Sequence, residues 1–126
     1  MTKLLSLVLL GVLFVSVFSS GIKVNTTTRQ LVDSNGRTRF YHGLNVVYKL
    51  APYYPILDTY DANNSLADAD FQNLQKWGFN VIRLYVAWQG VEPTKGNYNL
   101  TYINVLKTIV QKAAQYNISI ILDAHQ

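Results

Sequence analysis

Three apolar, strand-like runs recur along this chain near residues 44, 82 and 120, two steps of about 38 residues, with helix-period segments between them. The runs are Phe40-Tyr41-His42-Gly43-Leu44-Asn45-Val46, Phe79 to Ala87 (FNVIRLYVA) and Ile118 to Asp123 (ISIILD). β-branched and aromatic residues crowd the second. The third is almost continuously apolar, the pattern of a strand buried on both faces. Between the first two, Ser65 is placed to cap a helix with Asp68 as its third-residue acid. Ala67, Phe71 and Leu74 follow at i, i+4, i+7, with Trp77 beside them and Gly78 at the end. Between the last two, Tyr102, Leu106, Ile109, Ala113 and Tyr116 mark a second helix that Asn117 stops. Strands alternating with helices predict an α/β fold with a parallel sheet. The even spacing favours a (β/α) barrel over an open nucleotide-binding sheet. A dinucleotide fold would also need Gly-x-Gly-x-x-Gly after the first strand, where the chain reads Gly43-Leu44-Asn45-Val46.

Ahead of the first run, Gln30 to Val32, Asp33-Ser34-Asn35-Gly36 and Arg37 to Tyr41 read as a β-hairpin with Asn-Gly in its turn. Residues 48–64 carry Pro52, Pro55 and several Tyr and Asn, and read as a long loop of the kind that is usually functional. Residues 1–21 place Lys3 before an apolar stretch from Leu4 to Phe18 and then Ser19, Ser20 and Gly21. This is the order of a secretory signal, with cleavage after Ser19 or Gly21. Fifteen apolar residues fall short of the roughly 20 that span a bilayer, which disfavours an uncleaved anchor. Residues 22–126 are then the mature chain, destined for secretion or a lysosomal or endomembrane lumen. Four sequons agree with that route: Asn25-Thr26-Thr27, Asn63-Asn64-Ser65, Asn99-Leu100-Thr101 and Asn117-Ile118-Ser119.

Composition removes several classes. The chain has 126 residues, no cysteine, and 11 Lys and Arg against 7 Asp and Glu. A disulfide scaffold and a cysteine metal site are excluded. The net charge of +4 comes from scarce acids, with Glu92 the sole glutamate, and not from a basic cluster. Arg29, Arg37 and Arg39 are the nearest approach to one, so no nucleic-acid partner is expected. His42, Asp123 and His125 lack metal-ligand spacing, and no Gly-x-Ser-x-Gly marks a serine nucleophile.

Strand alternation sorts the remaining polar residues. Val81, Arg83 and Tyr85 share one face of the second run; Ile121, Asp123 and His125 share one face of the third. In a barrel the C-terminal strand ends hold the substrate. An arginine inside an apolar strand needs an anion, and a carboxylate on another strand is the expected one. The plainer alternatives are a structural salt bridge at Arg83 and a surface histidine on a capped strand end.

Trp77-Gly78-Phe79-Asn80-Val81-Ile82-Arg83-Leu84-Tyr85-Val86-Ala87-Trp88, then Val91-Glu92-Pro93 and Gly96-Asn97-Tyr98, resembles the second-strand block of glycoside hydrolase family 5. Ile121-Leu122-Asp123-Ala124-His125-Gln126 resembles the third-strand block of the endoglycoceramidase branch, and Gly43-Leu44-Asn45 with Lys49-Leu50-Ala51-Pro52 also fits it. The likeness runs over residues 28–126. It implies the first three βα units of a (β/α)8 barrel preceded by a hairpin, with the barrel incomplete in this chain. The activity implied is that of a retaining β-glycosidase cleaving the oligosaccharide–ceramide bond of glycosphingolipids, without a cofactor. The substrate would be met at a membrane surface or lipid micelle. Family members use two glutamates about 5–5.5 Å apart, after strands four and seven. Both would lie beyond Gln126, leaving the 126-residue chain inactive, and Glu92 belongs to a loop instead. Arg83 would orient the absent nucleophile, while Lys49, Asp123 and His125 would bind sugar hydroxyls. Trp88 is either a wall or platform of the site or part of the core. The alternatives are another family 5 glycosidase (a β-glucanase, β-mannanase or glucosylceramidase-like enzyme) and a short secreted sugar-binding protein.

Overall fold

The computed structural model describes residues 21–125. The signal-peptide expectation over residues 1–21 thus lies outside the described residues, Gly21 excepted. The chain divides into two compact units, one ending at Arg39 and the other starting at Phe40.

In the first unit, β1 (Lys23–Val24) pairs antiparallel with β2 (Leu31–Val32). Asn25 turns the connection by accepting the Thr27 and Thr28 N–H groups on its Oδ1 at 2.9 and 3.0 Å. The expected hairpin follows, with the Gly36 N–H donating to the Asp33 carbonyl and Gly36 left-handed at φ +76°. Its second arm is shorter than the sequence suggested. Pairing consists of a Val32–Thr38 bridge, the Asp33 N–H donated to the Arg37 carbonyl at 3.0 Å and the Arg39 N–H donated to the Leu31 carbonyl. Asp33, 9% exposed, holds the turn. Its Oδ1 accepts from the Asn35 and Arg37 N–H groups, and its Oδ2 lies 2.9 Å from both Arg37 Nε and Nη2. Arg39 Nη1 stands 4.0 Å from the same oxygen. Two of the three neighbouring arginines therefore serve a carboxylate inside the turn.

The second unit is a parallel sheet, β3 (Gly43–Val46), β4 (Val81–Ala87) and β5 (Ser119–His125), in spatial order β3-β4-β5. Helix α1 (Asp68–Lys76) links the first pair; α2 (Trp88–Val91) and α3 (Leu100–Gln115) link the second. Parallel neighbours joined through helices make this an α/β fold, and the described strands do not close a barrel. Gly43 sits where any Cβ would meet the Val81 carbonyl oxygen at 1.7 Å, so β3 can lie this close to β4 only with glycine there.

Both long helices end alike. Gly78 (φ +81°) and Asn117 (φ +57°) take the left-handed position. Phe79 N–H then reaches back to the Leu74 carbonyl, and Ile118 N–H to the Ala113 carbonyl, each at 3.0 Å. These six-to-one closures satisfy carbonyls that a helix end leaves open. At the start of α1 the expectation needs correction. The N-cap is Ala67, not Ser65, and the acid that turns back is Asp70, not Asp68. Alanine has no side-chain acceptor, so Asp70 Oδ2 takes the Ala67 N–H at 2.8 Å and the Ser65 hydroxyl as well.

The core lies between the helices and the even-numbered face of β4: Phe71, Leu74, Ile82, Leu84, Tyr102, Leu106, Ile109 and Ala113 pack together there. Each large side chain so buried contributes about 1.5–3 kcal/mol. Two apolar elements differ from the sequence reading, the end of α1 and β5. Trp77, as the C-cap of α1, is 62% exposed. The third strand is not buried on both faces: β5 is an edge of the described sheet, with Ile121 and Leu122 54% and 58% exposed.

Asn80 ties the N-terminal strand ends together. Its Oδ1 accepts the His42 N–H and its Nδ2 donates to the Phe40 carbonyl, both at 2.8 Å. Its backbone N–H donates to the His42 carbonyl, and its carbonyl accepts from Ser119. One residue therefore links the N-terminal ends of all three strands and helps to set their register.

Candidate active site

The register decides which polar side chains can meet. Tyr85 is level with Asp123 and Ala87 with His125, while Arg83 lies one step lower, opposite Ile121. These odd-numbered residues occupy the face of the sheet away from the helices. Arg83 reaches up across the pair, placing Nη2 2.8 Å from Asp123 Oδ2. His125 Nδ1 lies 3.2 Å from the same oxygen, and its ring is tilted over Tyr85 with centroids 5.7 Å apart. Asp123 is thus flanked by both partners and is 20% exposed, whereas Arg83 and His125 are each 46% exposed. The cluster combines a guanidinium fork, a shared carboxylate and an imidazole at the C-terminal strand ends. It offers directional hydrogen bonds to a hydroxylated ligand.

Beyond His125 the chain forms an open cleft of about 670 Å³ lined by Val86, Trp88, Val91, Ala124 and His125. Trp88 is 56% exposed and lines this cleft, which answers the choice between platform and core in favour of an accessible ring. Lys49 stands exposed in the segment after β3 and makes no ion pair among the described residues. It is therefore not brought into the Arg83–Asp123–His125 cluster. His42 lies before β3, at the other end of the sheet from His125, with its ring 4.5 Å from Phe79. Among the described residues no three metal-ligating side chains gather. Glu92 Oε1 accepts the Gly96 N–H at 2.6 Å and so closes its own loop.

The sequons occupy different local settings. Asn99 is the N-cap of α3, with Oδ1 accepting the Tyr102 N–H at 3.1 Å. Asn117 is the left-handed residue after α3, Asn63 is exposed, and Asn25 is half-buried in its turn.

Two structural residues escaped the sequence reading. Asn80 carried a signal in hindsight, as a lone amide at the foot of an apolar strand. The Tyr102 hydroxyl carried none, because helical spacing marks only its ring as core.

Residues 44–126 match the cellulase model of glycosyl hydrolase family 5. The chain belongs to glycosyl hydrolase family 5. Within family 5 it is 51% identical over 105 residues to the endoglycoceramidase of Cyanea nozakii, and 41% identical over 124 residues to that of Hydra vulgaris. These alignments cover 83% and 94% of this chain but 21% and 24% of those proteins. The chain thus spans less than a quarter of the length of the curated relatives it matches. Its fold is similar to endo-glycoceramidase II of Rhodococcus sp. in complex with ganglioside GM3, with a TM-score of 0.60 and 27% identity. That match covers 75% of this chain and 20% of that one.

Proposed function

We propose that this chain is the N-terminal part of a retaining β-glycosidase that releases the oligosaccharide of glycosphingolipids from ceramide. The observation that carries the reading is the Arg83–Asp123–His125 cluster at the C-terminal strand ends of a family 5 sheet. Likeness to endoglycoceramidases, one of them in complex with a ganglioside, supports the substrate class. In this reading β3, β4 and β5 are the first three strands of a (β/α)8 barrel. The exposed apolar Ile121 and Leu122 on an edge strand support further βα units packing there.

The reaction needs one carboxylate to attack the anomeric carbon and a second acid to protonate the departing ceramide oxygen and later activate water. The resemblance to family 5 assigns both catalytic glutamates to later strands, and the bond from the Gly96 N–H to Glu92 Oε1, which gives Glu92 a role in its own loop, supports that assignment. Arg83 then orients the nucleophile, and Lys49, Asp123 and His125 bind sugar hydroxyls. The Arg83–Asp123 ion pair holds the guanidinium on the strand face that carries His125, which supports that role. A leader at residues 1–21 and glycans on the four sequons belong to the same proposal, which places the enzyme in a secretory or lysosomal lumen with its substrate in a membrane or micelle.

The test is a product assay of the full-length gene product on ganglioside GM3 in detergent micelles, beside a β-1,4-glucan and glucosylceramide. Intact oligosaccharide and free ceramide are expected. Cleavage of the glucan alone, or of glucosylceramide alone, replaces this reading with a different family 5 activity. The 126-residue chain by itself is expected to release no sugar, and turnover by it would overturn the placement of the glutamates.

A further inference from the structure

Tyr102, in the first turn of α3, is 2% exposed and projects its hydroxyl beyond the core. That hydroxyl accepts the Ala87 N–H at 3.1 Å, at the last residue of β4. It also donates to the Tyr53 carbonyl at 3.3 Å, in the loop that follows β3. One phenol therefore joins a helix, a strand end and a loop that are 15 and 49 residues away in sequence.

The loop end of this link is under strain. Tyr53 has φ +69°, a left-handed conformation that bulky side chains avoid. Such a conformation persists only where its surroundings over-determine it. Here the Tyr53 N–H closes a turn on the Leu50 carbonyl at 2.6 Å while its own carbonyl takes the phenol. Lys49 directly precedes that turn. The ring beneath has no slack, since a Cβ on Gly90 would stand 2.8 Å from it. Burial raises the Tyr102 pKa against the lowering effect of the Ala87 N–H, so the phenol stays protonated and keeps its proton for Tyr53.

We infer that the Tyr102 hydroxyl is a positioning group that sets the loop bearing Lys49 against the C-terminal end of β4. This rests on the proposed function only for what Lys49 does there. The carbonyl of Tyr53 and the N–H of Ala87 are fixed to one atom, so the loop cannot shift along the strand without breaking a bond to that atom. The side chain touches no substrate in this account and acts through the loop.

Tyr102→Phe keeps the ring and removes only the hydroxyl. In the full-length product, hydrogen exchange should quicken at least tenfold at the Ala87 amide and across residues 50–54, with the α3 amides unchanged. On GM3 micelles KM should rise about three- to tenfold with kcat within twofold, and Tyr102→Phe should add nothing further in a Lys49→Ala background. Gly90→Ala, which displaces the ring with the hydroxyl still present, should expose the same two segments. Unchanged exchange at residues 50–54 in Tyr102→Phe overturns the inference. So does a full Tyr102→Phe effect on KM in the Lys49→Ala background. If Lys49→Ala itself leaves KM unaltered while exchange quickens as expected, the sugar-binding role of Lys49 fails and the positioning of the loop stands.

Discussion

Arg83 and Asp123 meet across adjacent parallel strands at 2.8 Å although they are not level with one another. The guanidinium climbs one step of the register, from opposite Ile121 to Asp123, and approaches the oxygen that His125 also approaches. Two cationic or donor groups on one carboxylate oxygen leave Asp123 Oδ1 for another partner. Bonds of this charged type are stronger and more directional than neutral ones.

Because the two side chains are in contact, their substitutions should not add. In the full-length product Arg83→Ala should mainly lower kcat, and Asp123→Ala and His125→Ala should each cost about 1–3 kcal/mol in kcat/KM. The Arg83→Ala/Asp123→Ala double variant should cost less than the two singles together, with a coupling of about 0.5–3 kcal/mol. Arg83→Lys should rescue only partly, since a point charge replaces a planar fork. Strict additivity in steady-state kinetics would mean the pair does not act as a unit.

Glu92→Gln tests the assignment from the opposite side. Its carboxylate closes a loop through the Gly96 N–H, and an amide oxygen can accept the same bond. Activity should remain within a few-fold of wild type. Loss of activity here, with Arg83→Ala and His125→Ala near wild type, would put the site elsewhere.

Asn80→Ala removes one acceptor and one donor that bind the His42 N–H and the Phe40 carbonyl. Both bonds are exposed and water can take the place of the lost amide, so the cost should be about 0.5–1.5 kcal/mol per bond. Denaturant unfolding measures this directly. Asn80→Asp should recover only part of the loss, since a carboxylate still accepts from His42 but repels the Phe40 carbonyl.

The hairpin at Asp33 should open in acid. Burial raises the pKa of this carboxyl, but the Arg37 backbone and side-chain bonds, the Asn35 bond and the Arg37 charge together hold it below its ordinary 3.8. A lowered folded pKa means the contribution is complete above the ordinary value and is lost as pH falls through the lowered one. Amide exchange at Arg37 and Arg39 should therefore stay slow near pH 5 and accelerate below pH 3.8. In Asp33→Asn the acid-dependent part should vanish, and a preserved transition would assign it to another group.

The sequence by itself determined the parallel α/β order. Strand-like and helical periods, with Gly78 and Asn117 as stops, reflect local backbone preferences that act before any tertiary contact forms. It also determined which residues share a face, because alternation along a strand is a local property: Arg83 with Tyr85, and Asp123 with His125. The tertiary structure decided the rest. The start of α1 moved to Ala67 because Asp70, and not Asp68, could turn its carboxylate back to the cap. The apolar run of β5 reads as a strand buried on both faces, yet burial depends on what packs alongside, and at this edge of the described sheet Ile121 and Leu122, on opposite faces, are both exposed. That Arg83 takes Asp123 as its anion follows from strand register, which Asn80 and the close approach at Gly43 help to set. The Tyr102 hydroxyl joins groups 15 and 49 residues away, and no periodicity encodes a bond between positions so far apart in the chain.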